Sequence, residues 1–242
     1  MEKDLYLTHY QIQKKHWWFV VKTKIILDTI KKYLSPKENR KILDIGCGAG
    51  LMLSSMTEVG ETFGMDMSDD AIEFCRKNFA GTIKKGFLPD GIPYDRDSFD
   101  LVVALDVIEH VDNDVQALEA MRNLLNATGK AIITVPAYMF LWSEHDDLNQ
   151  HKRRYSLPEL RNKLTKSGFT IEKISYYNTL LFPVIFLIRK MNNLFKRRGG
   201  SDFDMPGTVV NYVLKNIFGF EKHLLRLVNQ PFGVSILAVV RK

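Results

Sequence analysis

Two carboxylates and three glycines carry the most specific chemical signal in this chain of 242 residues. The run Lys41-Ile42-Leu43-Asp44-Ile45-Gly46-Cys47-Gly48-Ala49-Gly50 reads as a buried strand entering a glycine-rich turn, with a helix-like segment from Leu51 to Val59 behind it. Glycines let a backbone approach a ligand closely, and a helix start offers unpaired N–H groups with partial positive charge. The Gly-x-Gly-x-Gly spacing is one residue short of the dinucleotide fingerprint, and the Gly-Lys-Ser/Thr of a triphosphate-binding loop is absent. Asp44, just ahead of the turn, repels a pyrophosphate and attracts an ammonium group. The turn therefore suits a zwitterionic, cationic nucleoside better than a polyphosphate. A second short strand, Glu61 to Asp66, also ends in a carboxylate, and Ser68 follows as the N-cap of a helix over 69–78. In a doubly wound sheet Asp66 faces the glycine turn and can accept both hydroxyls of a ribose. Its other reading, as a partner of the next helix dipole, describes work that Asp69 and Asp70 already do.

A second cluster of chemically able residues lies at Trp142-Ser143-Glu144-His145-Asp146-Asp147-Leu148-Asn149-Gln150-His151-Lys152-Arg153-Arg154-Tyr155. His145 or His151 can take a proton from an attacking hydroxyl or amine, because an unperturbed imidazole titrates near pH 6.5. Arg153 and Arg154 can clamp a carboxylate or phosphate, with Trp142 and Tyr155 as further acceptor contacts. The competing reading is a structural network in which an arginine pairs with Asp146 or Asp147. Glu144-His145-Asp146 follows no metal-ligand spacing, so no metal is expected. Near the start, His16-Trp17-Trp18-Phe19 reads either as a lid whose Trp17 and Trp18 exclude water around a cation, or as a helix packing two tryptophans on the core.

The elements around these residues alternate. Residues 1–36 read as helical up to Ser35-Pro36. Strands follow at 41–45, 61–66, 82–85, 99–105 and 130–135, then 169–176 and 235–240. Helices are expected at 50–59, 69–78, 112–125 and 157–167. Such alternation builds a largely parallel sheet with right-handed crossovers. The organisation expected is an N-terminal helical lid (1–36), a binding core (37–177 and 233–242), and a helical insertion before the last strand (178–232). The insertion reads as two apolar helices separated by Arg197-Arg198-Gly199-Gly200-Ser201. Its 178–198 portion joins an apolar run to basic residues, a pattern that suits a substrate cap, a homodimer contact or a peripheral membrane contact.

Composition excludes several classes. With 45% hydrophobic residues the chain supports one sizeable α/β domain. No apolar run reaches the roughly 18 residues of a membrane-spanning helix, and Glu2, Lys3 and Asp4 are no secretory signal. Cys47 and Cys75 form no metal or disulfide pattern, so a cytoplasmic location is expected, with peripheral membrane contact as its variant. The net charge of +6 is concentrated between Arg189 and Arg198, and no nucleic-acid-binding module surrounds it.

Taken together, the chain resembles the class I S-adenosylmethionine-dependent methyltransferases, in their branch acting on small molecules. The resemblance rests on the Asp44–Gly50 turn, Asp66, the run from Phe99 to Val111 with Asp106-Val107-Ile108-Glu109-His110, and the segment from Leu124 to Pro136. It is carried further by His16-Trp17-Trp18-Phe19 and the stretch from Trp142 to Tyr155. It implies a Rossmann-like α/β fold: a seven-stranded, mostly parallel sheet with helices on both faces, whose last strand is antiparallel and lies beside the fifth. It also implies S-adenosyl-L-methionine as cofactor. Gly46, Cys47, Gly48 and Gly50 would lie along its methionine part, Asp44 at its ammonium and Asp66 at its ribose. Met67, Phe87 and Leu88 would flank the adenine, with Leu105, Asp106 and Val107 near the sulfur. His110 would stand beside the crevice as a secondary candidate base. Gly86-Phe87 replaces the acidic residue that many relatives carry after the third strand, so no carboxylate is offered there to the adenine amino group. The reaction expected is methyl transfer to oxygen, or to nitrogen, of a small-molecule or lipid-linked acceptor. A nucleotide-dependent oxidoreductase and a non-catalytic cofactor-binding regulator stand as alternatives.

Overall fold

The computed structural model describes residues 3–35, 38–195 and 205–242. Pro36 and the basic separator from Lys196 to Ser201 lie outside them. The elements are α1 (Lys3–Gln13), α2 (Trp17–Tyr33), β1 (Lys41–Ile45), α3 (Leu51–Met56), β2 (Glu61–Asp66), α4 (Asp69–Asn78), β3 (Thr82–Lys85), β4 (Phe99–Leu105), α5 (Asp114–Leu124) and β5 (Leu125–Pro136). They continue with α6 (Glu144–Leu148), α7 (Leu157–Lys166), β6 (Thr170–Tyr177), α8 (Phe182–Leu194), α9 (Thr208–Leu227) and β7 (Ser235–Arg241). One seven-stranded sheet runs in the order β3-β2-β1-β4-β5-β7-β6. Its first five strands are parallel, and β7 pairs antiparallel with both β5 and β6. This is the Rossmann-like arrangement expected.

The strands are apolar runs because both faces of the sheet are covered. Along β5, Ala131, Ile133 and Val135 join one core cluster while Ile132 joins the other. The same two-residue period divides β7, with Ile236, Ala238 and Val240 on one side and Leu237 and Val239 on the other. Helices α5 and α7 cover the first face through Leu118, Met121, Leu160 and Leu164. The second face is covered by α2, α3 and α9 through Val21, Ile25, Ile26, Met56, Phe218 and Leu225.

Two expectations change here. The N-terminal stretch is two helices, broken at Lys14–His16, and His16 Nδ1 accepts from the Trp18 N–H to start α2. Helix α2 buries Val21, Ile25, Ile26 and Ile30 at helical spacing, so it is a layer of the core rather than a cover laid on it. Helix α1 rests on α4, where the Tyr6 hydroxyl donates to Ser68 Oγ at 2.9 Å and Tyr10 meets Phe74 and Phe79 edge-on or tilted. Helix α9 also belongs partly to the core. Phe218 is fully buried and stacks on Trp18 at 5.2 Å, and Trp18 stacks in turn on Tyr177 at 5.9 Å. Glu221 of α9 accepts from the N–H groups of Thr179 and Leu180, fixing the turn into α8. The Asn211 side chain accepts from the Trp17 N–H at 2.8 Å and donates to the Lys15 carbonyl at 3.0 Å. The long apolar stretches of the insertion hid the division between an inner face and an outer one.

Phe218→Ala should lower unfolding free energy by about 3–5 kcal/mol in urea titration, from lost burial and an unfilled gap beside Trp18. Val210→Ser, on the exposed side of α9, should stay within about 0.5 kcal/mol. Equal effects of the two would show that α9 does not pack as described.

Candidate active site

The tips of β1, β2 and β4 lie side by side, with Ile45 paired to Met65 on one side and to Ala104 on the other. Between them the glycine turn is held by backbone bonds from the Gly46 and Cys47 N–H groups to the Met65 carbonyl. Gly46, Gly48 and Gly50 all have positive φ (+69°, +50° and +76°), a conformation that disfavours side chains. A Cβ on Gly50 would sit 2.3 Å from the Phe79 ring and one on Gly46 2.8 Å from Val107 Cγ2. At Gly48 it would meet only the Gly46 carbonyl oxygen, at 4.0 Å, so this is the open side of the cradle. Cys47 contributes backbone alone, because its thiol is buried with Leu53, Ile72 and Cys75.

Two carboxylates frame the turn. Asp44 is 3% exposed and its Oδ2 has no hydrogen-bond partner. Burial, with Asp66 nearby adding to it and Lys22 opposing, pushes its carboxyl up to about 7. A buried acceptor without a donor is what an amine-bearing nucleoside would satisfy. Asp66 is oriented by its own backbone surroundings: Oδ2 accepts from the Gly48 N–H at 2.8 Å and Oδ1 from the Ser68 N–H at 2.9 Å. The Gly86 N–H donates to the Asp66 carbonyl, which brings Phe87 to the end of β2. Met67 and Phe87 are both largely exposed, as an adenine-flanking pair requires. Leu88 is buried in the main core cluster instead, which corrects its expected place against the base.

Beyond the β4 tip lies a cavity of ≈ 370 Å³ lined by Trp17, Trp18, Leu105, Asp106, His110, His145, His151 and Arg154, eight of the residues singled out in the sequence. Asp106 has φ +56° and anchors the near wall, with Oδ2 2.5 Å from Lys22 Nζ and Oδ1 accepting from Thr134 Oγ1. Burial works against its charge, but Lys22 and Thr134 hold the carboxyl below the ordinary aspartate range. Val107, behind it, packs against Gly46, so the cavity wall and the glycine turn are in direct contact.

The far wall is the loop after β5. Asp146 is fully buried and accepts from Arg154 Nε at 2.7 Å, from the Ser143 N–H at 2.8 Å, and from His151 Nδ1 at 2.8 Å. Burial opposes its ionisation, yet His151, Arg154 and the Ser143 N–H hold the carboxyl well below the usual range. With Asp146 ionised, His151 Nδ1 donates to it, which leaves Nε2 as the ring's acceptor nitrogen. His110 meets the His151 ring at 4.8 Å, and burial, followed by the His151 charge, keeps it below the usual imidazole value.

Several expected contacts do not reach the cavity. Tyr155 is fully buried and donates to Asp114 Oδ2 at 2.9 Å, a core role. Arg153 pairs with Asp114 at 3.0 Å and donates to the Asp112 carbonyl. The Trp142 indole donates to Asp147 Oδ1 at 3.0 Å and belongs to the loop's own packing. Arg154 does line the cavity, but its guanidinium is engaged by Asp146 and the Ala137 carbonyl, which makes it a buttress rather than a free clamp.

Among the lining residues that sequence reasoning did not single out, Glu109 and Asn178 stand apart. Both are buried, and their side-chain oxygens and the Asn178 amide nitrogen have no hydrogen-bond partner. Burial, with Asp106 adding to it, pushes the Glu109 carboxyl well up, which favours its neutral form. Glu109 was visible inside the Asp106–His110 run, whereas Asn178 carried no signal beyond its place after a strand. Glu109, His110 and His151 also present ligand-type atoms within 4.8 Å of one another, a set with the chemistry to take a divalent cation. It joins the adjacent Glu109 and His110 to His151, 41 positions after His110, which no local spacing reveals.

Asp44 generates a pH prediction. Aspartate in an unfolded chain ionises near pH 3.9, against about 7 here. Between those values the folded state holds a proton that the unfolded chain has lost, so stability falls as pH rises and the penalty is complete above 7. Asp44→Asn should therefore raise the ligand-free Tm at pH 8 by at least about 4 °C relative to its effect at pH 4. Scanning calorimetry in which both proteins follow parallel pH curves would refute the assignment.

The comparisons with known proteins agree with this geometry. The methyltransferase domain family matches residues 21–174, well over half of the chain. A ubiquinone biosynthesis O-methyltransferase of Glaesserella parasuis is 30% identical over 128 residues, covering 45% of this chain and 54% of that protein. The chain thus spans about half the length of that curated relative. An uncharacterised Methanocaldococcus jannaschii protein is 27% identical over 203 residues, 73% of this chain and 83% of that one. Among solved structures, the Haloferax volcanii complex between the Trm112 methyltransferase activator and a methyltransferase matches with TM-score 0.63 at 16% identity, covering 97% of this chain and 93% of the other. Haemonchus contortus phosphoethanolamine N-methyltransferase 2, solved with S-adenosyl-L-methionine, matches with TM-score 0.57 at 19% identity over 90% of this chain and 52% of the other. At such identities the solved structures establish the fold, while the family match establishes the class. This chain belongs to the methyltransferase domain family.

Proposed function

We propose that the chain methylates an oxygen of a small-molecule or lipid-linked acceptor held in the cavity between α2 and the loop after β5, with His151 as the base. The observation that carries this reading is the Asp146–His151 pair at 2.8 Å, in one cavity with the unpartnered side chains of Glu109 and Asn178. Those buried polar groups call for an acceptor with its own donors and acceptors. S-adenosylmethionine supplies a methyl group already activated on a sulfonium. The protein's task is to align the acceptor and remove its proton. The acceptor hydroxyl gives its proton to His151 Nε2, and the ionised Asp146 stabilises the resulting imidazolium. Glu109, protonated, donates a hydrogen bond to the acceptor, and Trp17 and Trp18 exclude water. On the cofactor side Asp44 takes the ammonium, Asp66 the ribose hydroxyls, and Met67 and Phe87 the base. The O-methyltransferase names of the matched relatives support oxygen over nitrogen as the methylated atom.

A second reading uses the Glu109–His110–His151 set to hold a divalent cation that polarises the acceptor oxygen, with no protein base. Dialysis against a chelator should leave turnover unchanged if His151 is the base. Loss of turnover restored by added metal selects the second reading.

Two substitutions separate the roles. Asp66→Ala should weaken S-adenosylmethionine binding at least tenfold, or about 1.4 kcal/mol by calorimetry; an unchanged affinity removes Asp66 from the ribose. His151→Gln should keep that affinity within twofold while S-adenosylhomocysteine formation over an acceptor panel falls by about 10²–10⁴. Equal loss of binding and turnover would show that the loop is structural only.

A further inference from the structure

We propose that the outer faces of α8 and α9 seat on an anionic phospholipid surface, and that the cavity draws its acceptor from that surface. The second half of this proposal rests on the acceptor reading above; the first half stands without it. On α8, Val184, Leu187, Ile188, Met191 and Leu194 are all exposed and fall on one side of the helix at spacings of three and four. On α9 the same spacing links Val209, Val213, Ile217, Phe220 and Leu227, again exposed. The opposite sides of these helices are spent inward: Ile185 and Arg189 line the cavity, Arg189 Nη1 donates to the Leu141 carbonyl at 2.7 Å, and Phe218 and Leu225 enter the core. Two stripes of large apolar side chains in water signal an interaction surface. Among the described residues no helix is long and apolar enough to cross a membrane, so these helices would lie along the surface, not through it.

Charge selects the occupant. Arg189 is turned inward and Arg226 is paired with Asp28, so among the described residues of α8 and α9 the cations left beside the apolar stripes are Lys190, Lys215 and Lys222, while the one acid of these helices, Glu221, is buried. A second copy in a two-fold contact would set this charge against itself, whereas acidic lipid headgroups attract it. Helix α8 also explains why docking matters, since one side of it walls the cavity and the other is the apolar stripe. An acceptor carried by a lipid would then reach Asn178 and His151 without passing through water.

The full chain should co-sediment with vesicles of phosphatidylglycerol and phosphatidylcholine, and at least tenfold less with phosphatidylcholine alone or in 0.5 M salt, a roughly threefold shorter screening length than at low salt. Leu187→Glu/Ile188→Glu/Val213→Glu/Ile217→Glu should lose vesicle binding at least tenfold while keeping S-adenosylmethionine affinity. Lys190→Glu/Lys215→Glu, which leaves the apolar stripes intact, should lose the preference for the anionic vesicles. Failure of the unaltered protein to sediment, equal sedimentation of all variants, or light scattering that finds a dimer dissociated by the apolar substitutions would each overturn the proposal. Vesicle binding without S-adenosylmethionine binding would instead overturn the acceptor reading and leave the docking face standing.

Discussion

The Lys22–Asp106 ion pair is the contact on which the site's geometry depends. It joins α2, at the start of the chain, to the tip of β4, and Thr134 of β5 completes the carboxylate's shell. A charge pair taken largely out of water is tolerable only when both partners stay in place and other hydrogen bonds are made. That condition restricts where α2 can lie, and α2 carries Trp17 and Trp18 into the cavity wall. It also holds Asp106 at a positive φ, between the glycine turn and the acceptor space. Losing either partner would expose an uncompensated charge at the junction of the two half-sites, so the effect would spread to both.

The site divides into halves built by different means. The cofactor half is backbone: glycine conformations, strand tips and two carboxylates, one of them poised by burial. The proposed acceptor half is side chains from several separated segments, with a far wall organised around Asp146, which binds Ser143, His151 and Arg154 at once. Loops at strand ends tolerate such variation while the sheet beneath them stays fixed.

That division also governs how much was legible in the sequence. Strand tips and their turns are local, so the Asp44–Gly50 turn, Asp66 and most of the strands could be read from spacing and periodicity, whereas the break between α1 and α2 and the short α6 could not. The strand Leu125–Pro136 began earlier than expected because its first residues lack the apolar signature: Asn126 is half-covered, and Ala127 and Thr128 are exposed. Lys22 with Asp106 and Glu109 with His151 are partnerships across 84 and 42 positions, and no pattern in one sequence announces them. Arg153 and Tyr155 had the chemistry of substrate ligands, but the chain used them to satisfy Asp114. Composition shows which groups are available; only packing decides which of them are already spoken for.

The unpartnered Asp44 has a thermodynamic corollary. With its carboxyl pushed up to about 7, ligand-free molecules exchange a proton there around neutral pH. In the proposed binding mode an incoming ammonium favours the ionised form, so filling the site would eject that hydrogen ion into the medium. The apparent heat of association would therefore vary with the ionisation enthalpy of the buffer, and a cell's acidity would tune how readily the enzyme fills.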